Sequence, residues 1–186
     1  MVREPLKEKL PMFIMGPCSI ESRSILMETA EFVADLARKL NGAAEFLLKS
    51  SFEKDNRTSG NTWRGPGMEQ GLRLLEEAGK ATGLPLLTDI HTEKQAIPVS
   101  QVCQVIQIQA FLCRQTSLLE AAGATGLPVN IKKGQFMAPE NMAGAVDKVR
   151  KAGSETVFLT ERGTFFGYGD LVVDMRSLTV MDEMCD

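Results

Sequence analysis

Short apolar runs alternate with stretches of helical periodicity along most of this chain. The apolar runs predict six strands, at residues 12–15, 45–49, 85–88, 105–108, 129–131 and 156–160. Apolar residues at helical spacing predict helices between the strands, at residues 24–40, 68–81, 93–99, 115–124 and from Pro139 onward. Because the predicted strands are continuous apolar runs, both of their faces are expected to be buried. Six β-α units in series therefore predict a parallel sheet covered by helices.

The last part of the chain departs from this alternation. Residues 161–170 are rich in glycine and aromatic residues, a composition that predicts a loop. Residues 171–185 are mostly apolar, and we expect them to include a sixth helix. Since no low-complexity stretch or linker divides the chain, residues 1–186 are expected to form a single domain.

Polar or ionisable residues stand at or just past the C-terminal end of each predicted strand. They are Cys18, Lys49, Asp89, Gln107, Lys132 and Arg162. In a (β/α) barrel these side chains would converge on one mouth, where barrel chemistry occurs, whereas an open doubly wound sheet would spread them along an edge. An open sheet would also favour a glycine-rich dinucleotide loop after the first strand, and Gly16-Pro17-Cys18-Ser19 is not such a loop. The pattern favours the barrel.

The length of the chain limits how much of a barrel it can form. An eight-fold barrel usually needs about 200 residues or more, and this chain has 186 residues that supply about six β-α units. The prediction is therefore the first six units of a (β/α)8 TIM barrel, with apolar strand edges exposed. We expect the natural protein to contain further residues, or another element to close the gap.

Composition narrows the class of protein. The chain is 44% hydrophobic and 24% charged, with a net charge of −3, which is typical of a globular protein without a general affinity for nucleic acid. No apolar run is long enough to span a membrane. The N-terminal residues lack the apolar core of a signal peptide, so a cytoplasmic location is expected. The four cysteines lack framework spacing, which favours thiols over disulfides.

Cationic residues cluster at the predicted strand ends and in the loops that follow them. The long loop of residues 49–67 carries four, and the whole set is Lys49, Lys54, Arg57, Arg64, Arg114, Lys132, Lys133 and Arg162. Gathering like charges in one cavity costs free energy unless an anion compensates them. The pattern predicts a substrate with phosphate and carboxylate groups. Lys133 and Arg64 fit separate surface positions equally well.

The remaining candidates leave several kinds of chemistry open. Asp89 could accept hydrogen bonds from substrate hydroxyls or pair with a lysine, while Asn56, Thr58, Gln107 and Gln135 could add neutral hydrogen bonds. Cys18 could be a nucleophile, a metal ligand or a buried apolar residue. One cysteine and the single histidine, His91, do not make a zinc site, which needs three or four ligands.

Seven motifs carry a resemblance to a known family. In chain order they are GPCSIES, KSSFEKDNRTS, RGPG, LLTDIH, IQIQAFLCRQT, NIKKGQF and ERGTFFGY. This series closely resembles the 3-deoxy-D-manno-octulosonate 8-phosphate synthases, also called 2-dehydro-3-deoxyphosphooctonate aldolases, over nearly all of the chain from Phe13 onward. The resemblance implies a homotetrameric (β/α)8 barrel that condenses phosphoenolpyruvate with arabinose 5-phosphate and water, releases phosphate, and serves lipopolysaccharide synthesis.

The resemblance also implies roles for residues that match the motifs. Lys49 and Lys54 would hold the carboxylate side of phosphoenolpyruvate, and Lys132, Arg162 and the backbone of Ala110 its phosphate. The pentose phosphate would be bound by the run Asn56, Arg57 and Thr58, with Asp89 on its hydroxyls. Arg114 would reach a phosphate in a neighbouring subunit. Two amides, Gln107 and Gln135, would complete the pocket.

The family has a metal-dependent class with cysteine at the position of Cys18 and a metal-independent class with asparagine there. The resemblance therefore implies a divalent metal of the zinc, iron or manganese class, bound at Cys18 in a site that this chain leaves incomplete. Two other functions stay open. One is the related 3-deoxy-arabino-heptulosonate 7-phosphate synthase, which uses erythrose 4-phosphate, and the other is an inactive anion-binding fragment.

Overall fold

The computed structural model describes residues 10–186 and contains one six-stranded parallel sheet in which the strands follow one another in chain order. Its strands are β1 (Met12–Met15), β2 (Glu45–Lys49), β3 (Leu86–Ile90), β4 (Val105–Ile108), β5 (Val129–Lys132) and β6 (Val157–Thr160). All six predicted strands are confirmed. The predicted position of Asp89 needs correction, because this residue lies inside β3 rather than past its end. Residues 1–9 of the N-terminal segment, on which the expected location rests, lie outside the described residues.

Helices alternate with these strands. They are α1 (Arg23–Leu40), α2 (Met68–Thr82), α3 (Ala96–Ser100), α4 (Thr116–Gly123) and α5 (Ala143–Ala152), with α6 (Arg176–Asp182) near the end of the chain. The Ser22 side chain caps α1 by accepting from the Ile25 backbone N–H, and α1 ends at Asn41, whose φ of 44° is left-handed. α1 packs against α2 and α4 against α5. The curled sheet with its helices is part of a (β/α)8 barrel, as predicted.

Two local predictions need correction. Residues 161–170 are not only a loop, because β7 (Thr164–Gly167) and β8 (Asp170–Val172) form an antiparallel hairpin. The aromatic residues of this segment favour strand formation. A two-residue turn joins β7 to β8 and contains Gly169, whose φ is 77°. The helix expected from Pro139 begins as a 3-10 turn, Pro139–Met142, and becomes α-helical only at Ala143.

The apolar core lies between the sheet and its helices, whereas the edge strand β1 is exposed. Leu48, Leu75, Ile106, Leu119 and Ile131 are fully buried in that core. Met12, Phe13 and Ile14 of β1 are exposed apolar residues, so the expectation of an exposed apolar edge is confirmed. None of the helices formed by residues 10–186 combines the length and the apolar character that crossing a bilayer requires.

Candidate anion-binding active site

The loop after β2 is ordered by an apolar anchor and backbone hydrogen bonds. Phe52 is fully buried, and its carbonyl accepts from the Gly67 N–H at 3.2 Å. The Lys54 N–H donates to the Arg64 carbonyl at 2.6 Å, which closes the loop on itself. These contacts hold the Lys54 side chain near the end of β2, although the loop is otherwise exposed.

A close backbone approach brings the end of β1 against the end of β2. Gly16 has a φ of 147°, and a Cβ atom there would lie 2.0 Å from the Lys49 carbonyl oxygen. Only glycine fits such a contact. The Ser50 hydroxyl donates to the Pro17 carbonyl at 2.9 Å, and Lys49 Nζ donates to the Cys18 carbonyl at 3.3 Å. Cys18 is thereby placed beside Lys49.

Ser51 and Asp89 link the lysines of β2 and its loop. Lys49 Nζ and Lys54 Nζ donate to Ser51 Oγ at 2.7 Å and 2.8 Å, and the Ser51 hydroxyl donates to Asp89 Oδ2. The two ammonium groups lie 3.1 Å and 3.6 Å from the same carboxylate oxygen. Sequence reasoning missed Ser51. The sequence does carry a signal for Ser51. It lies two residues after Lys49, so in an extended chain the two side chains point to the same side.

Lys132 and Arg162 add positive charge to this site from the end of β5 and from the loop after β6. Lys132 is the last residue of β5, and Arg162 follows β6 by two residues. Burial lowers the pKa of Lys132, and Lys54 and Arg162 are close enough to lower it further, while Asp89 opposes them. Lys49, Lys54 and Lys132 therefore share one buried carboxylate, and Arg162 lies near Lys132. We call these four cations the cation cluster, and its excess charge is suited to an anion.

Burial also shifts the protonation of Lys49 and Asp89. Burial lowers the pKa of Lys49 to about 8, and Asp89 offsets only part of this effect. Burial alone would raise the pKa of Asp89, but Lys49, the Ser51 hydroxyl and Lys54 together hold it well below its usual range. The carboxylate is consequently ionised across the physiological pH range, whereas Lys49 is partly neutral near pH 8 when no anion is bound.

Anion binding near pH 8 should therefore be accompanied by proton uptake. A bound phosphate or carboxylate favours the charged ammonium and raises the pKa of Lys49, whose value of about 8 makes it half neutral at that pH. We expect an uptake of up to about half a proton at Lys49 for each ligand bound. Calorimetric titration with inorganic phosphate, in buffers of different ionisation enthalpy, measures this number.

The control for proton uptake is Lys49→Arg, because a guanidinium stays charged at pH 8. The variant should lose the share of the uptake that belongs to Lys49. An equal uptake in the wild type and in Lys49→Arg would show that Lys49 is not the titrating group.

Gln107 lies beneath this site and supports Asp89. Its Nε2 donates to Asp89 Oδ1 at 2.5 Å, and its Oε1 accepts from Asn130 Nδ2 at 2.9 Å. Gln107 on β4 is also the register partner of Asp89 on β3 and of Asn130 on β5. The amide of Gln107 thus has a protein partner at both of its ends.

Comparison with known proteins agrees with the motifs. Residues 7–186 match the DAHP synthetase I family over almost the whole chain. The chain belongs to the DAHP synthetase I family. The resemblance predicted from the motifs is confirmed by curated relatives that share about half of their residues with this chain.

Three of these relatives illustrate the match, and each is named 2-dehydro-3-deoxyphosphooctonate aldolase. The protein of Acidithiobacillus ferrooxidans is 48% identical over 172 residues, which are 92% of this chain and 60% of the relative. The proteins of Synechococcus sp. and Nitratidesulfovibrio vulgaris are each 52% identical, over 91% and 90% of this chain and 59% and 61% of their own lengths. The chain thus spans about 60% of the length of these curated relatives.

Several predicted site residues of this DAHP synthetase I family member lie apart from the cation cluster. Asn56, Arg57 and Thr58 are exposed in the loop after β2, where Arg57 lines a cavity of about 360 Å³ beside Trp63. Arg114 lines a second cavity of about 340 Å³ that also contains Lys148. Within residues 10–186, no hydrogen bond or ion pair joins these side chains to the cluster.

Ala110 and Gln135 are buried near the ends of β4 and β5. Among the described residues, Gln135 Oε1 has no hydrogen-bond partner, so this oxygen could accept from a ligand. His91 is half-buried and meets the Phe52 ring edge-on at 6.5 Å between ring centroids. Burial lowers the pKa of His91, which favours the neutral imidazole.

Two further cations have structural partners of their own. Lys133 is fully buried, so a surface position is wrong for it, and its ammonium donates to the Gly163 carbonyl at 3.0 Å and to Thr164 Oγ1 at 3.1 Å. It thereby ties the end of β5 to the loop that carries Arg162. Arg64 is exposed and pairs with Glu53 at 2.9 Å and with Asp55.

The residues around Cys18 do not by themselves form a metal site. Cys18 is an exposed free thiol, and residues 10–186 contain no group of three or more histidine, cysteine, aspartate or glutamate side chains placed to hold a metal ion. A thiolate is a suitable ligand for zinc or iron, but one ligand is fewer than such sites require. The metal at Cys18 stays a prediction, and no chemistry below depends on it.

Proposed function

We propose that the protein condenses phosphoenolpyruvate with D-arabinose 5-phosphate and water to give 3-deoxy-D-manno-octulosonate 8-phosphate and phosphate. The observation that carries this proposal is the cation cluster, in which Lys49, Lys54 and Lys132 lie around the buried carboxylate of Asp89 and Arg162 lies near Lys132. Such a site suits a small substrate with several negative charges. The names of the relatives point to the same reaction.

Within this proposal, the cluster binds phosphoenolpyruvate by its two charged ends. Lys49 and Lys54 hold the carboxylate, whereas Lys132, Arg162 and the backbone of Ala110 hold the phosphate. Lys49 and Lys54 already lie close together through Ser51, and Arg162 and Lys132 influence each other across β5 and β6. Fixed cations at both ends of the substrate orient its double bond in the mouth of the barrel.

The sugar phosphate is proposed to bind on the side of the loop after β2. Asn56, Arg57 and Thr58 take its phosphate, and Asp89 accepts from its hydroxyls. Arg114, which is exposed, reaches a phosphate of a neighbouring subunit in a homotetramer. The pocket is completed by Gln107 and Gln135. The reaction supplies lipopolysaccharide synthesis in the cytoplasm.

The proposed chemistry needs no covalent bond to the protein. Carbon 3 of phosphoenolpyruvate forms a bond to the aldehyde carbon of the sugar, whose oxygen takes a proton, while water adds at carbon 2 and gives up a proton. The bond between carbon 2 and the phosphate oxygen then breaks, phosphate leaves with the electron pair, and the hydroxyl on carbon 2 loses its proton and becomes the carbonyl of the product. Lys132 and Arg162 stabilise the charge on the leaving phosphate. A divalent metal at Cys18, with ligands beyond the described residues, would supply a Lewis acid.

Phosphate release from phosphoenolpyruvate in the presence of each sugar phosphate tests the proposal. We expect release with arabinose 5-phosphate and a kcat/KM at least about tenfold lower with erythrose 4-phosphate, because the two differ by one carbon and one hydroxyl in the pocket. A preference for erythrose 4-phosphate would instead identify a heptulosonate 7-phosphate synthase. No release with either sugar, at any concentration of zinc, iron or manganese, would indicate an anion-binding protein without this activity.

A further inference from the structure

A chain of hydrogen-bonded side chains crosses four neighbouring strands beneath the cation cluster. Asp89, Gln107 and Asn130 are 3%, 2% and 1% exposed, so each polar group is removed from water. Gln107 donates to Asp89 at 2.5 Å, Asn130 donates to Gln107 at 2.9 Å, and the Thr160 hydroxyl donates to Asn130 Oδ1 at 2.9 Å. Sequence reasoning missed Asn130 and Thr160, although a polar residue inside the apolar run of β5 is an informative exception.

The direction of every hydrogen bond in this chain follows from its first member. The Asp89 carboxylate only accepts, so the amide NH2 of Gln107 must face it and the carbonyl of Gln107 must face Asn130. Asn130 must then donate to Gln107, which turns its own carbonyl toward Thr160. Reversing either amide would place two acceptors or two donors face to face in a buried site, at a cost that water cannot relieve.

These side chains are also connected to the cations. Asp89 Oδ2 accepts from Ser51 and lies 3.1 Å from Lys49 Nζ, whereas Asp89 Oδ1 accepts from Gln107. Asn130 lies two residues before Lys132 on β5, so the two side chains share the inner face of the sheet. Lys132 and Thr160 are register partners across β5 and β6. The hydrogen-bond chain therefore runs directly below the residues that are proposed to hold phosphoenolpyruvate.

We propose that Asn130 and Thr160 are positioning residues that hold Gln107 as a hydrogen-bond donor to Asp89, and so help Lys49, Lys54 and Ser51 to keep Asp89 ionised. Their function is to fix the charge of the site without touching the substrate. This role deepens the proposed function and rests on it for its catalytic meaning. The physical claim about the charge of Asp89 stands on the contacts alone.

The proposal predicts that changing Asn130 alters the titration of Asp89. In Asn130→Asp, a carboxylate replaces the group that donates to Gln107, and two carboxylates then compete for one amide NH2. The added negative charge also disfavours ionisation of Asp89. We expect the midpoint of the Asp89 carboxyl titration to rise by at least about one pH unit. Carbon-13 NMR of the carboxyl groups, at pH values from about 1 to 8, measures this midpoint without reference to any activity.

Thr160→Val and Thr160→Ser test the hydrogen-bond chain without adding a charge, which Asn130→Asp does not do. Valine has the shape of threonine without its hydroxyl, so we expect a smaller upward shift of the Asp89 midpoint, whereas serine keeps the donor and should restore the wild-type value. Asn141→Asp is the matched control, because Asn141 is exposed and lies outside this chain of hydrogen bonds. It should leave the midpoint of Asp89 unchanged.

An Asp89 midpoint that is the same in the wild type and in Thr160→Val would overturn the proposal, and it would do so even if Asn130→Asp failed to fold. In the catalytic assay, the acid limb of kcat/KM should move to higher pH by the same amount as the midpoint. If the protein shows no condensation activity, the proposed function fails while the NMR titration still decides the role of Asn130 and Thr160.

Discussion

The Asp89→Asn variant is expected to unfold with a free energy about 3–5 kcal/mol lower than that of the wild type at pH 7, because it leaves buried ammonium groups without their counter-charge. Asp89 lies 3.1 Å from Lys49 Nζ and 3.6 Å from Lys54 Nζ, and all three side chains are largely buried. Asparagine also brings an NH2 group to a position where Gln107 and Ser51 both donate. Urea unfolding monitored by circular dichroism gives the difference in free energy.

The difference in unfolding free energy between the wild type and Asp89→Asn should become smaller as the pH falls. Since the pKa of Asp89 is held below its usual range in the folded state, its contribution is present above its unfolded pKa of about 3.9. That contribution is lost as the pH falls through the folded pKa, so the two stability curves should converge in acid.

The matched control for Asp89→Asn is Asp147→Asn, which removes an exposed carboxylate that pairs with Lys151 at 2.6 Å. Asp147→Asn should lower the free energy of unfolding by less than about 1 kcal/mol, because water screens an exposed ion pair. Phosphate should recover part of the stability of Asp89→Asn by binding to the unpaired lysines. Equal losses in the two variants would contradict the assignment of Asp89 as the counter-charge of the site.

Lys132→Met is expected to lower kcat/KM for phosphoenolpyruvate by about 100-fold or more, which is the usual cost of removing a charge that stabilises a leaving group. Lys132 ends β5 beside Arg162, where the phosphate is proposed to leave. The melting temperature should stay the same or rise, because burial and neighbouring cations already disfavour the charge on Lys132. Steady-state kinetics together with thermal unfolding measure both effects.

Lys151→Met is the matched control for Lys132→Met, since Lys151 is an exposed lysine on α5 that pairs only with Asp147 among the described residues. Its kcat/KM should stay within about twofold of the wild type, because an exposed pair contributes little. A Lys132→Met enzyme with wild-type kcat/KM would mean that the phosphate binds elsewhere in the barrel.

The sheet and the cation cluster could be predicted because they depend on local patterns. Continuous apolar runs mark strands that are buried on both faces, and the residues at their C-terminal ends must lie on one side of a parallel sheet. That rule predicts Lys49, Lys132 and Arg162 from the sequence alone. It also placed Asp89 and Gln107 at the site, although both lie within their strands rather than beyond them.

The partners of these residues could not be predicted in the same way. The contact of Asn130 with both Gln107 and Thr160 depends on the register of three strands, which the apolar pattern does not determine. The burial of Lys133 depends on the start of the hairpin of β7 and β8, where Thr164 and the preceding residue, Gly163, accept its hydrogen bonds. Such contacts result from tertiary packing rather than from sequence periodicity.

The hydrogen-bond chain beneath the site also bears on the order in which the protein folds. Its three links join residues that are 18, 23 and 30 positions apart, each from one β-α unit to the next. Closing such short loops costs little chain entropy compared with pairing the first strand of a barrel to its last. The charged centre can therefore assemble stepwise as successive units join the sheet, from Asp89 toward Thr160, before any ring is closed.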